Sequence, residues 1–334
     1  MKKIILLITV ALFLGELQAK VLTVSNRAGN SAQYKTVPAA ITAAAAGDTI
    51  YIHGSETSYG DVTIDKKLTL MGTGHNPKKE LALVSTLGTV TVDAFNGGAS
   101  GTSLIGLRIG SVSNATYGQK DVTIKRCRID SYIYAFGSTG GISTNWIIEN
   151  CIFPYVQISN DKTNVYNFLI RNNIITQGLY GTHTCVIDNN VFIGSSAAFS
   201  DVHYAIIQNN VFYGATPKGA ANSTFNNNIT FSPSDSALPY GTNGGSLNKV
   251  NVDPKFTKFT ANVGFSYDHD YRLQASSPGK NAGTDKTDIG IYGGIGFSET
   301  GEPPVPVVRV FTILNGVVAP NGKLNIKISA EAKN

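Results

Sequence analysis

The sequence predicts an all-β solenoid, a ribbon of short parallel strands wound into stacked coils, and three observations predict it. First, one pattern recurs through the middle of the chain: WIIENCIF at 146–153, FLIRNNII at 168–175, CVIDNNVF at 185–192 and AIIQNNVF at 205–212, with weaker copies at 106–109, 122–129 and 223–231. Self-similarity at a nearly fixed period is the signature of a repeat architecture. Second, each copy is a short apolar strand, a polar corner and a second short apolar strand, without the three- and four-residue apolar spacing of a helical repeat. Third, only 15% of the 334 residues are charged, against roughly 25% in ordinary soluble domains. The 35 Gly and 12 Pro fit turns and strands better than charged helices, and 42% hydrophobic residues supply a core. A disordered or collagen-like chain is excluded.

Taken in order, the elements begin with a leader. Lys2 and Lys3 precede an apolar run over residues 4–14, and Leu17, Gln18 and Ala19 end it on a small residue, so residues 1–19 read as a secretory signal peptide. The mature chain is expected to be exported, to the cell surface or beyond it. No second apolar stretch approaches the ~20 residues of a membrane helix. Loss of Lys2, Lys3 and Glu16 lowers the formal charge from +5 to +4, a mild surplus that suits anionic partners without identifying one. Within residues 34–52, Ala43, Ala44, Ala45 and Ala46 are strong helix formers and Gly47 marks the stop. This helix would plug the open end of the core. Residues 68–74 read as an early coil.

The coils follow, anchored on Ile124, Ile148, Ile170, Ile187, Ile207 and Phe225 at spacings of 24, 22, 17, 20 and 18 residues. Asn tolerates the left-handed backbone region and bonds to nearby backbone, so it turns a sharp corner between strands. At the ~4.8 Å spacing of paired strands, Asn150, Asn172, Asn189, Asn209 and Asn227 are expected to form one column, a structural ladder of amides. Alternation along each strand puts Trp146, Phe168, Cys185 and Ala205 on the inner face with the anchors. Ile147, Leu169, Val186 and Ile206 then form an outward apolar stripe that needs a cover; residues 232–266 are expected to fold back over it, the alternative being a partner-binding surface. Cys127 and Cys151 fall at one corner position in successive coils, either as a disulfide or as a stacked pair of free thiols.

With these corners the chain resembles the right-handed parallel β-helix proteins of the pectin-lyase-like group, bacterial and exported, whose coils carry an apolar-x-Asn corner. The resemblance covers about residues 21–300 and implies a right-handed parallel β-helix with a short N-terminal capping helix. Residues 251–294 are similar to the closing segment of exported members, through Asp253-Pro254, Phe256, the DYRL run at 270–273, Ser277-Pro278 and the DIGIYGG run at 288–294. They are expected to cap the last coil. The group contains polysaccharide lyases and glycosidases, so catalysis has to be weighed against binding.

The chemistry in the sequence is sparse. A glycosidase needs two carboxyl groups facing one sugar, and no Asp pair shares a coil position; the Asp-Asp and Gly-His-Gly pattern of polygalacturonases is absent. A calcium-assisted lyase wants several carboxylates on one face with a base, whereas Asp130, Asp161, Asp188 and Asp201 are scattered. One cluster survives the alignment. His183 and His203 each lie four residues before their anchors, with Tyr166 in the preceding coil and Asp201 two residues from His203. Such a group could bind a metal or relay protons; alternatively it is a stacked ring column at a turn. No cofactor is evident, with calcium or another divalent metal left open. Tyr166, Tyr180 and Tyr204 are candidate substrate-binding rings, and Tyr132, Tyr134, Tyr155 and Tyr213 share the inter-coil setting. The expected partner is a polysaccharide, anionic ones included. Nucleic acid is disfavoured because the basic residues form no stripe.

After residue 300 the composition changes to the Pro-rich linker EPPVP at 302–306. Residues 307–314 and 323–329 then read as two strands joined through an Asn-Gly turn. A lone hairpin is marginal in water, so the tail at 301–334 is expected to dock on a surface-anchoring partner or on the solenoid. The fold class expected is thus all-β, a signal peptide over 1–19, a β-helix with both caps over 20–300 and a hairpin tail over 301–334. Its expected function is binding of polysaccharide outside the cell, against lyase or glycoside hydrolase activity and against a structural or adhesive role.

Overall fold

A computed structural model describes residues 19–114, 116–135, 142–157, 165–260 and 264–332. Apart from Ala19, the leader expected over 1–19 lies outside the described residues, as does Asp161. Among the described residues no helix is long and apolar enough to cross a membrane.

The chain forms a parallel β-solenoid. One sheet stacks ten strands, from Val21–Val24 through Ile147–Glu149, Leu169–Arg171, Val186–Asp188 and Ile206–Gln208 to Thr224–Asn226. A second sheet of eleven strands includes Tyr132–Tyr134, Ile152–Gln157, Ile174–Tyr180, Val191–Ile193, Val211–Tyr213 and Ile229–Phe231. A third, narrower side pairs Ser143–Thr144 with Val165–Tyr166 and Val202–His203 with Ala220–Ala221. Ile124, Ile148, Ile170, Ile187, Ile207 and Phe225 stand opposite one another in register and are fully buried. Trp146 stacks on Phe168 with ring centroids 5.6 Å apart.

The helix at the N-terminal end spans Val37–Ala43, capped by Thr36, and buries Val37, Ala40 and Ile41 in the core. It ends before the alanine run does. Ala44 is already extended, because the Ala45 amide is drawn to Asp48 Oδ2 and Lys66 Nζ binds the carbonyls of Ile41 and Ala44. Side-chain partners here override helix propensity.

The corner file contains the five expected asparagines, and the backbone of Asn150, Asn172, Asn189, Asn209 and Asn227 is left-handed in each, with φ between 52° and 57°. The amide-to-amide ladder, however, runs one residue later. Asn173 Nδ2 donates to Asn190 Oδ1, Asn190 Nδ2 to Asn210 Oδ1, Asn210 Nδ2 to Asn228 Oδ1 and Asn228 Nδ2 to Asn248 Oδ1, each at 3.0 Å. The left-handed corner turns the first Asn outward and the second inward, where its amide satisfies a core-side carbonyl such as Ile170 O. An unpaired buried amide would be costly, so the inner column is continuous.

Cys127 and Cys151 extend this inner column toward the N-terminus as free thiols. Their Sγ atoms donate to Leu104 O and Ile124 O at 3.4 Å, the bonds that the amides make in later coils. All 3 cysteines are buried, and burial, foremost, also pushes the Cys151 and Cys185 thiols up, so none of them should meet a thiol reagent in the native protein. Reagent titration is expected to count three thiols after denaturation and none before it; a count of one would mean a disulfide.

The outward corner asparagines bind a C-terminal strap that runs back along the solenoid. Asn227 Nδ2 donates to Ala282 O, Asn209 Nδ2 to Thr284 Oγ1, Asn189 Nδ2 to Gly290 O, Asn172 Nδ2 to Gly293 O and Asn150 Nδ2 to Gly296 O. Within this segment Phe256, Tyr271, Leu273, Ile289 and Ile291 cover part of the outer face of the second sheet, packing on Ile152, Ile174, Val191, Val211 and Ile229. This corrects the expected fold-back over the first sheet. Residues 232–252 instead continue the solenoid, with Gly244 bridged to Thr224 and Lys249 to Ile229, because Asn248 carries the amide ladder into one more coil. The stripe stays open: Ile147, Leu169 and Val186 are half-buried and Ile206 is 45% exposed.

The strap ends in a buried clasp. Arg126 donates to Glu302 O, and a side chain at Gly301 would collide with His75. Tyr267 Oη donates to His75 O at 2.9 Å and lies 3.1 Å from Nδ1. Its single proton is used on the carbonyl, so His75 must donate from Nδ1, leaving Nε2 as a buried acceptor. Burial, foremost, lowers His75 from 6.5 to about 3. Between those values the unfolded chain takes up a proton that the folded chain refuses. Stability is therefore complete above 6.5 and falls as pH drops toward 3, by at most about 1.4 kcal/mol per pH unit from this group. Urea unfolding across that window should give a steeper decline for the wild type than for His75→Gln; equal slopes would remove His75 as the cause.

The tail forms the expected hairpin, Val307–Ile313 antiparallel to Ile326–Glu331. Phe311 faces Ile328 and Ile313 faces Ile326 across it, all between 45% and 62% exposed.

Candidate functional site

Each later coil makes two further turns around the third side, and these position the candidate residues. The first turn falls at Gly181, Asp201 and Gly219, all at positive φ. Glycine adopts that conformation freely, and Asp is one of the few other residues that tolerate it. The second turn falls at Asp121, Asn145, Asn167, Thr184, Tyr204 and Asn222, with φ between 49° and 61°. Asn and Asp suit this corner; a β-branched Thr and a bulky Tyr do not, and they occur in the two coils that carry histidine. Strained backbone of this kind persists where surroundings impose it and concentrates at functional sites.

Between the turns, His183 pairs with His203 as a parallel bridge, and the His203 amide donates to Thr182 O at 3.0 Å. Their rings are therefore forced into a stack, with centroids 5.1 Å apart and planes within 2°. Asp201 spans the pair, its Oδ1 2.9 Å from His203 Nε2 and its Oδ2 4.0 Å from His183 Nε2. The His183 side chain is 6% exposed and that of His203 23%, so His203 is the member that faces solvent. A cleft of about 550 Å³ opens there, lined by Tyr166, Asn167, His183, Thr184, His203, Tyr204 and Asn222, within the size range of small-ligand sites.

The structure thus brings together His183, His203, Asp201, Tyr166 and Tyr204. Tyr204 is 61% exposed, its ring 6.2 Å from that of His203. Tyr180 is placed elsewhere. It lies on the outer face of the second sheet against Tyr155, at 5.6 Å, and does not line the cleft. Of the other aspartates weighed above, Asp130 pairs with Arg108 and Arg128, and Asp188 accepts from Asn209, with burial, its largest influence, raising its pKa. The cleft residues Asn167, Thr184 and Asn222 were not expected from the sequence. Their signal is the residue three before each anchor, which is Asn in three coils and breaks to Thr and Tyr beside the histidines.

Parallel imidazoles send their nitrogens side by side, whereas a metal ion needs ligands converging on one point at roughly 2.0–2.2 Å. Among the described residues no group of three or more His, Cys, Asp or Glu side chains is arranged to hold a metal ion. What the cluster can do is orient His203 through Asp201, and take or give a proton at the cleft wall.

No protein-family model matches the chain, and a search of curated proteins finds no match.

Proposed function

We propose that the protein is an exported member of the pectin-lyase-like β-helix group that binds polysaccharide at or outside the cell surface, seating a sugar in the cleft beside His203. The observation that carries this reading is the cleft itself, where an exposed aromatic ring, Tyr204, adjoins hydrogen-bonding groups from Tyr166, Asn167, His203 and Asn222. A flat apolar ring edged by donors and acceptors is what one face of a sugar requires. Retention on insoluble acidic and neutral polysaccharides tests the reading. Tyr204→Ala is expected to weaken retention roughly five- to tenfold, the worth of one stacking ring. A wild-type protein that none of the polysaccharides retains would end it.

A second reading, a polysaccharide lyase, is favoured by the hydrogen bond that His203 Nε2 donates to Asp201, which leaves Nδ1 of the imidazole poised to take a proton. The absorbance of unsaturated products separates the two. Release abolished by His203→Ala supports the lyase, and retention without product supports binding.

The hairpin supports a role in attachment, since its exposed apolar pairs call for a partner. Removing residues 307–334 leaves the Glu302 clasp intact and is expected to release the protein from the surface fraction; unchanged location would dismiss this role.

A further inference from the structure

We infer that the outer face of the second sheet carries a separate binding platform for a neutral polysaccharide chain, built by Tyr132, Tyr134, Tyr155 and Tyr180. The inference rests on the reading of the protein as a polysaccharide binder and assigns that role to a second place, with its own substrate class.

The platform follows from strand alternation. Tyr132 and Tyr134 flank the buried Ile133, so both point outward from one strand. Tyr155 stands opposite Tyr132 in the next coil, and Tyr180 stands opposite Gln157 in the coil after that. Tyr132 and Tyr134 lie nearly parallel with centroids 4.0 Å apart. Tyr155 follows at 6.2 Å from each of them and Tyr180 at 5.6 Å from Tyr155. The rings therefore climb the solenoid axis across three coils, each step close to the ~4.8 Å strand spacing. An extended sugar chain presents C–H faces at similar intervals. The four rings are half-buried and lie outside the row that the strap covers, and such a contiguous aromatic surface marks a binding site more often than chance exposure does.

The surroundings choose the ligand. The positions in register with Tyr134 and Tyr180 are Thr91, Ser113, Gln157 and Ser200, so the file is uncharged throughout. Among the described residues the file itself offers no cation for phosphate, sulfate or a uronate carboxylate, Arg108 and Arg128 of the same sheet being paired with Asp130, which favours a neutral glycan over nucleic acid and acidic glycans. Tyr134 and Tyr155 hydroxyls lie 3.3 Å apart. That hydrogen bond, the largest influence, pushes Tyr155 up to about 12, so the rim presents neutral hydroxyls to a neutral partner.

Pull-down on amorphous cellulose, insoluble mannan and cross-linked polygalacturonate tests the inference. The wild type is expected to be retained on a neutral polymer. Tyr132→Ala with Tyr155→Ala should weaken that retention by roughly tenfold or more, while the corresponding double Phe variant, which keeps the rings, should stay within about threefold. Tyr204→Ala reports on the cleft independently. An Ala double variant that melts like the wild type and is retained equally would overturn the platform and leave the cleft standing, as would retention on polygalacturonate alone. Retention on none of the three would remove both.

Discussion

A chain ended at Asp253 is expected to lose the monomeric, cooperatively folded state. Truncation there strips the cover from Ile152, Ile174, Val191, Val211 and Ile229, which are at most 4% exposed in the intact protein. Each contributes about 1.5–3 kcal/mol through burial. Uncovered, they stand in register on one sheet face as a single apolar row, the kind of surface on which chains associate. The outward amides of Asn150, Asn172, Asn189 and Asn227 lose their carbonyl partners in the same cut. Size-exclusion chromatography with thermal unfolding decides the matter. A truncated chain that elutes as a monomer and melts within a few degrees of the wild type would show that the strap is dispensable. Removal of residues 307–334 alone is expected to leave the melting curve nearly unchanged, because Val308, Val310, Phe311, Ile313, Ile326 and Ile328 are all exposed.

The second large effect separates the two asparagines of one pair. Asn190→Ala removes the acceptor of the Asn173 amide N–H and of Asn173 Nδ2, and the donor to Ile170 O. All of this takes place in a fully buried column. At about 1–3 kcal/mol for each group left unpaired, the loss should total about 3–5 kcal/mol. Asn172→Gly keeps the left-handed corner, which glycine adopts freely, and gives up only the two bonds from Asn172 Nδ2 to Ile291 O and Gly293 O. A loss of about 1–2 kcal/mol is expected there. Urea midpoints at constant m-value measure both. Equal losses would mean that the inner ladder carries no special weight.

The repeat was legible because its anchors obey a fixed spacing from each corner. Ile148, Ile170, Ile187 and Ile207 share one register in the sheet, as the eight-residue pattern implies. Which Asn of a pair faces inward was not legible, since two identical neighbours carry no pattern; only the backbone dihedral at the first decides it. The strap was missed in its course for a related reason. Residues 277–301 hold four of the five corners by their backbone carbonyls, and backbone recognition leaves little trace in side-chain periodicity. At the site, the stacking of His183 on His203 and the proximity of Asp201 were readable from the alignment. The separation of Tyr180 from Tyr166 and Tyr204 was not, because the turn at Gly181 sends neighbouring residues to different sides of the coil.

Because one antiparallel strap touches successive corners from Asn227 to Arg126, the molecule has a built-in ruler. Open arrays grow by duplicating a unit; here an added rung would leave Glu302 one strand spacing short of its socket. Lengthening by gene duplication therefore demands a matched insertion at two distant places in the chain, and the number of rungs is fixed by the length of a segment that belongs to none of them.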